Sequence, residues 1–366
     1  MHIPDGYLSP STCATLYALS VSGWYASLKH IKRVLATRTI PLISVFAAFS
    51  FVVMMFNVPL PGGTTGHAVG VGVAAIVLGP WGSILAISIT LAIQALFFGD
   101  GGVTTLGANC FNMAIVGSFV AYGAYKLVAG NSELISRRRI IAAAVAGYLS
   151  INVAALVAAI EFGIQPMLFH DASGTPLYAP YSLHVAIPAM MIGHLTIAGA
   201  AEAVISAGMV AYLQRADLSL LRGIKAVARE SKQMVSSAQA EPLQAQASQR
   251  RLWWTVALLM LCTPLGILAA GSAWGEWSSA ELKNPNTRAQ IEVTSGNQAP
   301  PSSVPAGLQK LSTLWTAPFP GYAPRFVRSQ AFGYLLSAMF GVGFFVLASL
   351  VTRAVGSKGN GRERQP

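Results

Sequence analysis

Ile140-Ile141-Ala142-Ala143-Ala144-Val145-Ala146-Gly147-Tyr148-Leu149-Ser150-Ile151-Asn152-Val153-Ala154-Ala155-Leu156-Val157-Ala158-Ala159-Ile160-Glu161-Phe162 is almost wholly apolar. A helix needs about 20 such residues to cross a hydrocarbon core of about 30 Å. Comparable runs are Ser11–Leu28, Ile40–Phe56, Ala68–Leu78, Ser83–Phe98, Thr104–Val128, Leu183–Leu213, Leu252–Ala270 and Ala331–Val351. The third is short and glycine-rich, and Gly79-Pro80-Trp81-Gly82 joins it to the fourth as a tight turn. The expected fold is an all-α integral membrane protein: a seven-span body followed by a two-span helix hairpin.

Composition agrees. Of 366 residues, 54% are hydrophobic and 10% charged, against about 25% charged in soluble domains. Mean hydropathy is +0.55. The net charge of +11 reflects topology rather than nucleic-acid binding. With the N-terminus outside and each span crossing once, all but five of the 24 basic residues fall in inner segments, as cytoplasmic loops require. The five exceptions, Lys283, Arg288, Lys310, Arg325 and Arg328, share the outer segment Ser272–Gln330. The expected location is therefore a prokaryotic plasma membrane, N-terminus outside and C-terminus inside.

The chain divides into a body (residues 1–213), a polar cytoplasmic linker (214–250) and the hairpin with its outer segment and basic tail (251–366). Met1 to Gly6 lacks the basic start of a signal peptide, so the mature chain is expected to begin at or next to Met1. Cys13, Cys110 and Cys262 lie in apolar spans without CxxC spacing and read as small core residues.

The chemistry gathers at the outer face. A terminal amine followed by His2 can chelate a metal through the amine, the deprotonated His2 amide and the His2 ring. Tetragonal nitrogen coordination suits Ni²⁺ or Cu²⁺. A fourth nitrogen is available from His67, at the end of the loop Asn57–His67, which enters the glycine-rich span from the same side. Ligating nitrogens must lose their protons, so capture should weaken as pH falls. Ring pKa values near the reference of about 6.5 would set the upper part of that window.

Three stretches, Met1-His2-Ile3-Pro4-Asp5-Gly6-Tyr7-Leu8, Pro61-Gly62-Gly63-Thr64-Thr65-Gly66-His67 and Phe98-Gly99-Asp100-Gly101-Gly102 through Asn109-Cys110-Phe111-Asn112-Met113, closely resemble the CbiM/NikM family. Those proteins are substrate-specific membrane subunits of energy-coupling-factor cobalt and nickel importers. The hairpin, with Pro264-Leu265-Gly266, Trp274-Gly275-Glu276-Trp277 and Tyr322-Ala323-Pro324, is similar to the accessory subunit of those systems, fused to the same chain. The resemblance implies a planar site of Met1, His2 and His67, closed over by the outer loops. It also implies a transmembrane coupling protein and paired cytoplasmic ATPases as partners. The chain has no G-x-x-x-x-G-K-[ST] loop of its own. The metal would be transported substrate rather than cofactor. The loop before His67 resembles nickel members more than cobalt ones, with Co²⁺ the alternative.

Other polar residues have two readings. Thr65, Gln94, Asn109 and Asn112 could orient metal-bound histidines, and intramembrane amides also bond simply across helices. His194 and Glu202 share the last body span, where an ionisable group is a functional candidate. Eight residues place them about 80° apart on a regular helix, and a bond to a neighbouring helix is the competing role. His170, Asp171 and His184 read as solvated loop residues. Ala14, Ala18, Ser22 and Ala26 form a small-xxx-small stripe suited either to packing in the body or to docking the coupling protein. A stand-alone secondary transporter would want intramembrane acids, of which Glu202 is the obvious one. A metalloenzyme would want an open metal position beside a general base, and no H-E-x-x-H is present.

Overall fold

A computed structural model of the chain describes residues 1–32, 39–60, 64–222, 243–269 and 271–362. The expected linker falls largely outside them, at 223–242, as do Pro61, Gly62 and Gly63. Among the described residues, six helices are long and apolar enough to cross a membrane. They are α3 (Val71–Phe98), α4 (Leu106–Ala129), α5 (Arg137–Leu168), α6 (Leu183–Ala216) and the spans Arg250–Leu268 and Gln330–Ala348. The last two belong to the longer helices α8 (Leu243–Cys262, extended by a 3₁₀ turn) and α11 (Gln330–Arg362). Before them come α1 (Pro10–Lys32) and the shorter apolar α2 (Thr39–Met54). A short α7 (Leu218–Leu221) follows α6.

Helix α5 shows how this sequence packs. Ser136 caps its start by accepting from the Arg139 N–H. Ala142, Ala143, Ala146, Gly147, Ser150, Ala154 and Ala155 make a buried face of small residues, while Ile141, Leu149 and Ile160 point outward. Small side chains let helix backbones approach closely. A Cβ on Gly147 would stand 2.5 Å from Ser206 Oγ of α6, and one on Gly72 would stand 2.9 Å from the Gly147 Cα. Three helices therefore meet there at backbone distance.

Two expectations are amended. The third and fourth apolar runs join across one non-helical residue, Gly79 (φ 70°, ψ 170°), with Pro80 already in the second helical segment. The four-residue turn is thus reduced to a single glycine in a conformation that disfavours a side chain. The all-α expectation also omits a two-stranded antiparallel hairpin, β1 (Val58–Leu60) with β2 (Thr64–Gly66), paired Val58 to Gly66. It delivers His67 to the start of α3.

Helices α8 and α11 do not stand apart from the body. The glycines Gly341 and Gly266 come against the Phe51 ring of α2 and the Met55 carbonyl just after it. Phe51, Phe98, Phe345 and Tyr322 stack in one buried cluster spanning both parts of the chain. Between the two spans, α9 (Pro285–Thr294) and α10 (Ala306–Leu311) are short helices. That brevity explains the absence of periodicity in the sequence there. The segment between these two spans lies over the N-terminus, where Glu276 accepts from the Met1 ammonium. At the opposite ends of the helices, His30 stacks on Trp81 at 4.4 Å. These rings border a cavity of about 570 Å³ also lined by Tyr125, Lys126 and Arg139.

The stripe Ala14, Ala18, Ser22 and Ala26 faces away from the body, with the first three exposed. The face of α1 turned inward is Cys13, Leu16, Ser20, Ser27 and Ile31.

Candidate metal centre

The N-terminus folds into the protein. Met1, His2 and Ile3 are buried, held mainly through Ile3. Its N–H donates to Asn109 Oδ1 at 2.8 Å, and its carbonyl accepts from Asn109 Nδ2 and from the Gly102 N–H. Asp5 accepts from the Val103 and Thr104 N–H groups. Gly102 has no room for a side chain, since a Cβ would stand 2.4 Å from the Asp5 N. Gly101 (φ +78°) runs past His2, with an added Cβ 3.1 Å from His2 Nδ1.

Around this anchored strand the expected ligands come together. The His2 and His67 rings lie 5.0 Å apart, centre to centre, inclined by 58°. The Met1 ammonium donates to Glu276 Oε1 at 3.1 Å. His2 Nδ1 is 3.5 Å from Asp100 Oδ1, and neither buried ring nitrogen of His2 makes a hydrogen bond. His67 Nδ1 is 3.1 Å from the Ala68 carbonyl. A proton on that nitrogen leaves Nε2 as the bare one. Burial pushes the His2 ring pKa down to about 4, against the opposing charge of Glu276. Burial, then the neighbouring His2 ring and Met1 amine, take His67 to about 3. The expectation that ring protonation near 6.5 limits metal capture is thereby corrected: both rings are neutral through the whole neutral range.

The residues expected to support the histidines divide. Asn109 holds Ile3, and Gln94 Nε2 donates to the Tyr322 hydroxyl at 2.9 Å. Tyr322 in turn donates to Asp100 Oδ2 at 2.6 Å, and Gln94 Nε2 also reaches Asp100 Oδ2 directly at 3.4 Å, so Gln94 acts on His2 through Asp100. Thr65 instead donates to the Gly271 carbonyl, and Asn112 donates to Glu161 Oε2 at 2.7 Å. His170 and His184 are exposed.

Glu202 is fully buried and accepts from the backbone N–H groups of Val69 (2.7 Å), Gly70 (2.9 Å) and Gly72 (3.1 Å). It thus caps α3 directly after His67, where the helix leaves orphan donors. The expected 80° between His194 and Glu202 is also corrected. His194–Ala198 is a π-helical turn, which absorbs one extra residue. Eight residues then behave like seven and bring the two side chains within about 20° of one face.

Four residues at or near the site carry no expected role: Asp100, Glu161, Glu276 and Tyr322. Glu161, buried against Asn112, was visible as an acid inside an apolar run. The other three stand inside stretches that carry the resemblance, but only folding across the length of the chain gives each its contact. Among the described residues, no three His, Cys, Asp or Glu side chains cluster closely enough to hold a metal.

Comparison with known proteins gives the arrangement its family. Residues 2–220 match the model of CbiM, the cobalt uptake substrate-specific transmembrane region. The chain belongs to this family. Its full length is similar to the fused nickel transport protein NikMN of Rhodobacter capsulatus, at 50% identity over 94% of this chain and 95% of that one. A cobalt transport protein CbiM of Lachnoclostridium phytofermentans is 43% identical over 35% of this chain and 52% of its own. A crystal structure of a transition metal transporter superposes with a TM-score of 0.56 at 50% identity, covering 59% of this chain and 94% of its own. The protein is thus a fused CbiM/NikM-type subunit of an energy-coupling-factor metal transporter, a multi-pass membrane protein without an ATPase domain.

Proposed function

We propose that this subunit captures Ni²⁺ in a planar site of four nitrogens: the Met1 amine, the His2 amide and ring, and the His67 ring. The observation that carries this is the convergence of His2 and His67, from distant segments, beside the Met1 amine. The fused chelate puts the amide in the middle, so the fourth ligand must lie trans to the amide and cis to the His2 ring. With metal–nitrogen bonds of about 2 Å and ring centres about 1.2 Å behind the ligating atoms, cis rings sit about 4.5 Å apart and trans rings about 6.4 Å. The 5.0 Å separation favours the cis arrangement.

Charge balance supports the same reading. The Met1 ammonium presents one positive charge to Glu276 and Asp100. Ni²⁺ with a neutral amine and an ionised amide presents one as well. Two protons leave for each ion bound, and the carboxylates face the same charge in both states.

Planar nitrogen coordination favours Ni²⁺, as does similarity along the whole chain to a fused nickel transport protein. Co²⁺ is the second reading, favoured by the family's own description. In this reading the site faces outward, the charged ends of α4 and α5 face the cytoplasm, and the body comprises seven spans with a two-span hairpin. A transmembrane coupling protein and paired ATPases drive release inward.

The test is an N-terminal extension. One residue added before Met1 turns the amine into an amide and moves His2 out of register. Nickel bound per purified protein should fall to background while the spans stay assembled, as read by circular dichroism. A folded, extended chain that binds nickel normally would exclude the site.

A further inference from the structure

His194 stands where the planar site does not use it. It is 4% exposed and opens the π turn of α6, a distortion frequent at functional sites. Its Nδ1 lies 2.8 Å from the Met190 carbonyl of its own helix. This contact settles two things. The bond does not tie α6 to a neighbouring helix, and with the proton on Nδ1 the lone pair of Nε2 is free. Metal-binding histidines are commonly oriented in this way, with the second nitrogen on a carbonyl. His67 has the same pattern, with Nδ1 on the Ala68 carbonyl.

The segments that carry the two histidines meet at one side chain. A Cβ on Gly66 would stand 2.9 Å from Leu60 Cδ1, and a Cβ on Gly193 would stand 2.7 Å from the same atom. The residues just before His67 and His194 therefore flank a single methyl group. Beyond the π turn, Glu202 holds the backbone that follows His67. One face of α6 thus carries both the support for the backbone after His67 and an imidazole, at a level of the helix where α6 packs against the strand leading to His67.

We propose that His194 Nε2 is the first ligand a metal ion takes after the planar site, replacing the His67 ring as the ion begins to move inward. The step is a ligand exchange: the metal–His67 bond breaks, the metal–His194 bond forms, and no proton or electron changes hands. This rests on the planar-site reading, so its test must separate the two.

Nickel titration of the purified full chain would compare the parent, His194→Gln, His67→Ala and the double variant. Glutamine keeps a donor for the Met190 carbonyl and removes the imidazole. His194→Gln should bind nickel within about twofold of the parent. His67→Ala should bind more weakly, and the double variant at least tenfold more weakly again, because His194 stands in for the missing ring. In cells expressing the chain with the coupling protein and ATPases, His194→Gln should slow nickel uptake at least tenfold. A double variant no weaker than His67→Ala, or uptake unchanged by His194→Gln, overturns the proposal. Loss of equilibrium binding in a normally stable His194→Gln also overturns it, because His194 would then belong to the capture site. A purified parent chain that binds no nickel refutes the planar site itself, whatever His194 does.

Discussion

Removing charge from Glu202 tests how the His67 ring is held. A carboxylate offers four acceptor positions to the Val69, Gly70 and Gly72 N–H groups, whereas an amide turns one oxygen into a donor facing donors. Hydrogen bonds to charged groups contribute about 1.5–3 kcal/mol each. Glu202→Gln should therefore lower the melting temperature and weaken nickel binding about tenfold or more. Unchanged affinity would show that the cap does not position His67. The acid was visible in the sequence, but its partners were not, because they are backbone groups far away along the chain. The ring pKa values give a second test. His2 and His67 titrate at about 4 and about 3 in the folded protein and at about 6.5 when unfolded. Folded pKa values below the unfolded ones mean stability that is present above pH 6.5 and lost as pH falls toward 4. At pH 5 each ring withholds a proton that the unfolded chain binds, a cost of about 2 kcal/mol per ring. The metal-free melting temperature should drop between pH 7 and 5, and less so in His2→Gln/His67→Gln. An equal drop in that variant would argue against buried neutral rings. Nickel binding near neutrality should release about two protons, counted by calorimetry in buffers of different ionisation heat. Release of none would count against an ionised amide.

At the level of elements, the spans were legible because apolar runs of bilayer length have few other uses. Their irregularities were not. Period counting assumes 3.6 residues per turn, so it could not foresee the π turns Gln94–Phe98, Cys110–Val116 and His194–Ala198, nor the β-hairpin that presents His67. The turn Gly99–Gly102 shows the same limit. Its glycines were apparent, but which of them touches His2 follows only from folding. Gly101 has φ +78° and would place a Cβ 2.9 Å from Asn109 Nδ2 and 3.1 Å from His2 Nδ1. Gly101→Ala should weaken nickel binding about tenfold through the displaced His2 while leaving the spans assembled, as read by titration and circular dichroism. Gly123, with nothing within 4 Å of an added Cβ, is the control, and equal effects at the two positions would refute the argument.

Across the whole molecule, the body and the hairpin are joined by far more than the linker. Tyr7 donates to the Trp277 carbonyl at 2.6 Å, the Gly307 N–H to the Leu177 carbonyl at 2.7 Å, and Trp315 to the Leu96 carbonyl. Gly6 (φ +89°) fits under α10, where a Cβ would come 2.6 Å from the Leu308 Cα. A protease site placed within 223–242 should thus allow cleavage without separation, the two fragments co-eluting in mild detergent. Fragments that part at once would show these contacts to be too weak to hold the halves together. None of this could be read from the sequence of the segment between the two spans, because these contacts join residues far apart along the chain.

The Glu276 carboxylate, set on the Met1 amine by that segment, has a kinetic consequence as well. Because cover and site share one polypeptide, their meeting is unimolecular, with an effective concentration that for short tethers reaches the millimolar range. A cover supplied as a separate protein would have to be made in matching amounts and found by diffusion in the bilayer. Under the proposed function, every copy of the site would be synthesised with its own cover, and its closing would not depend on how many copies the cell holds.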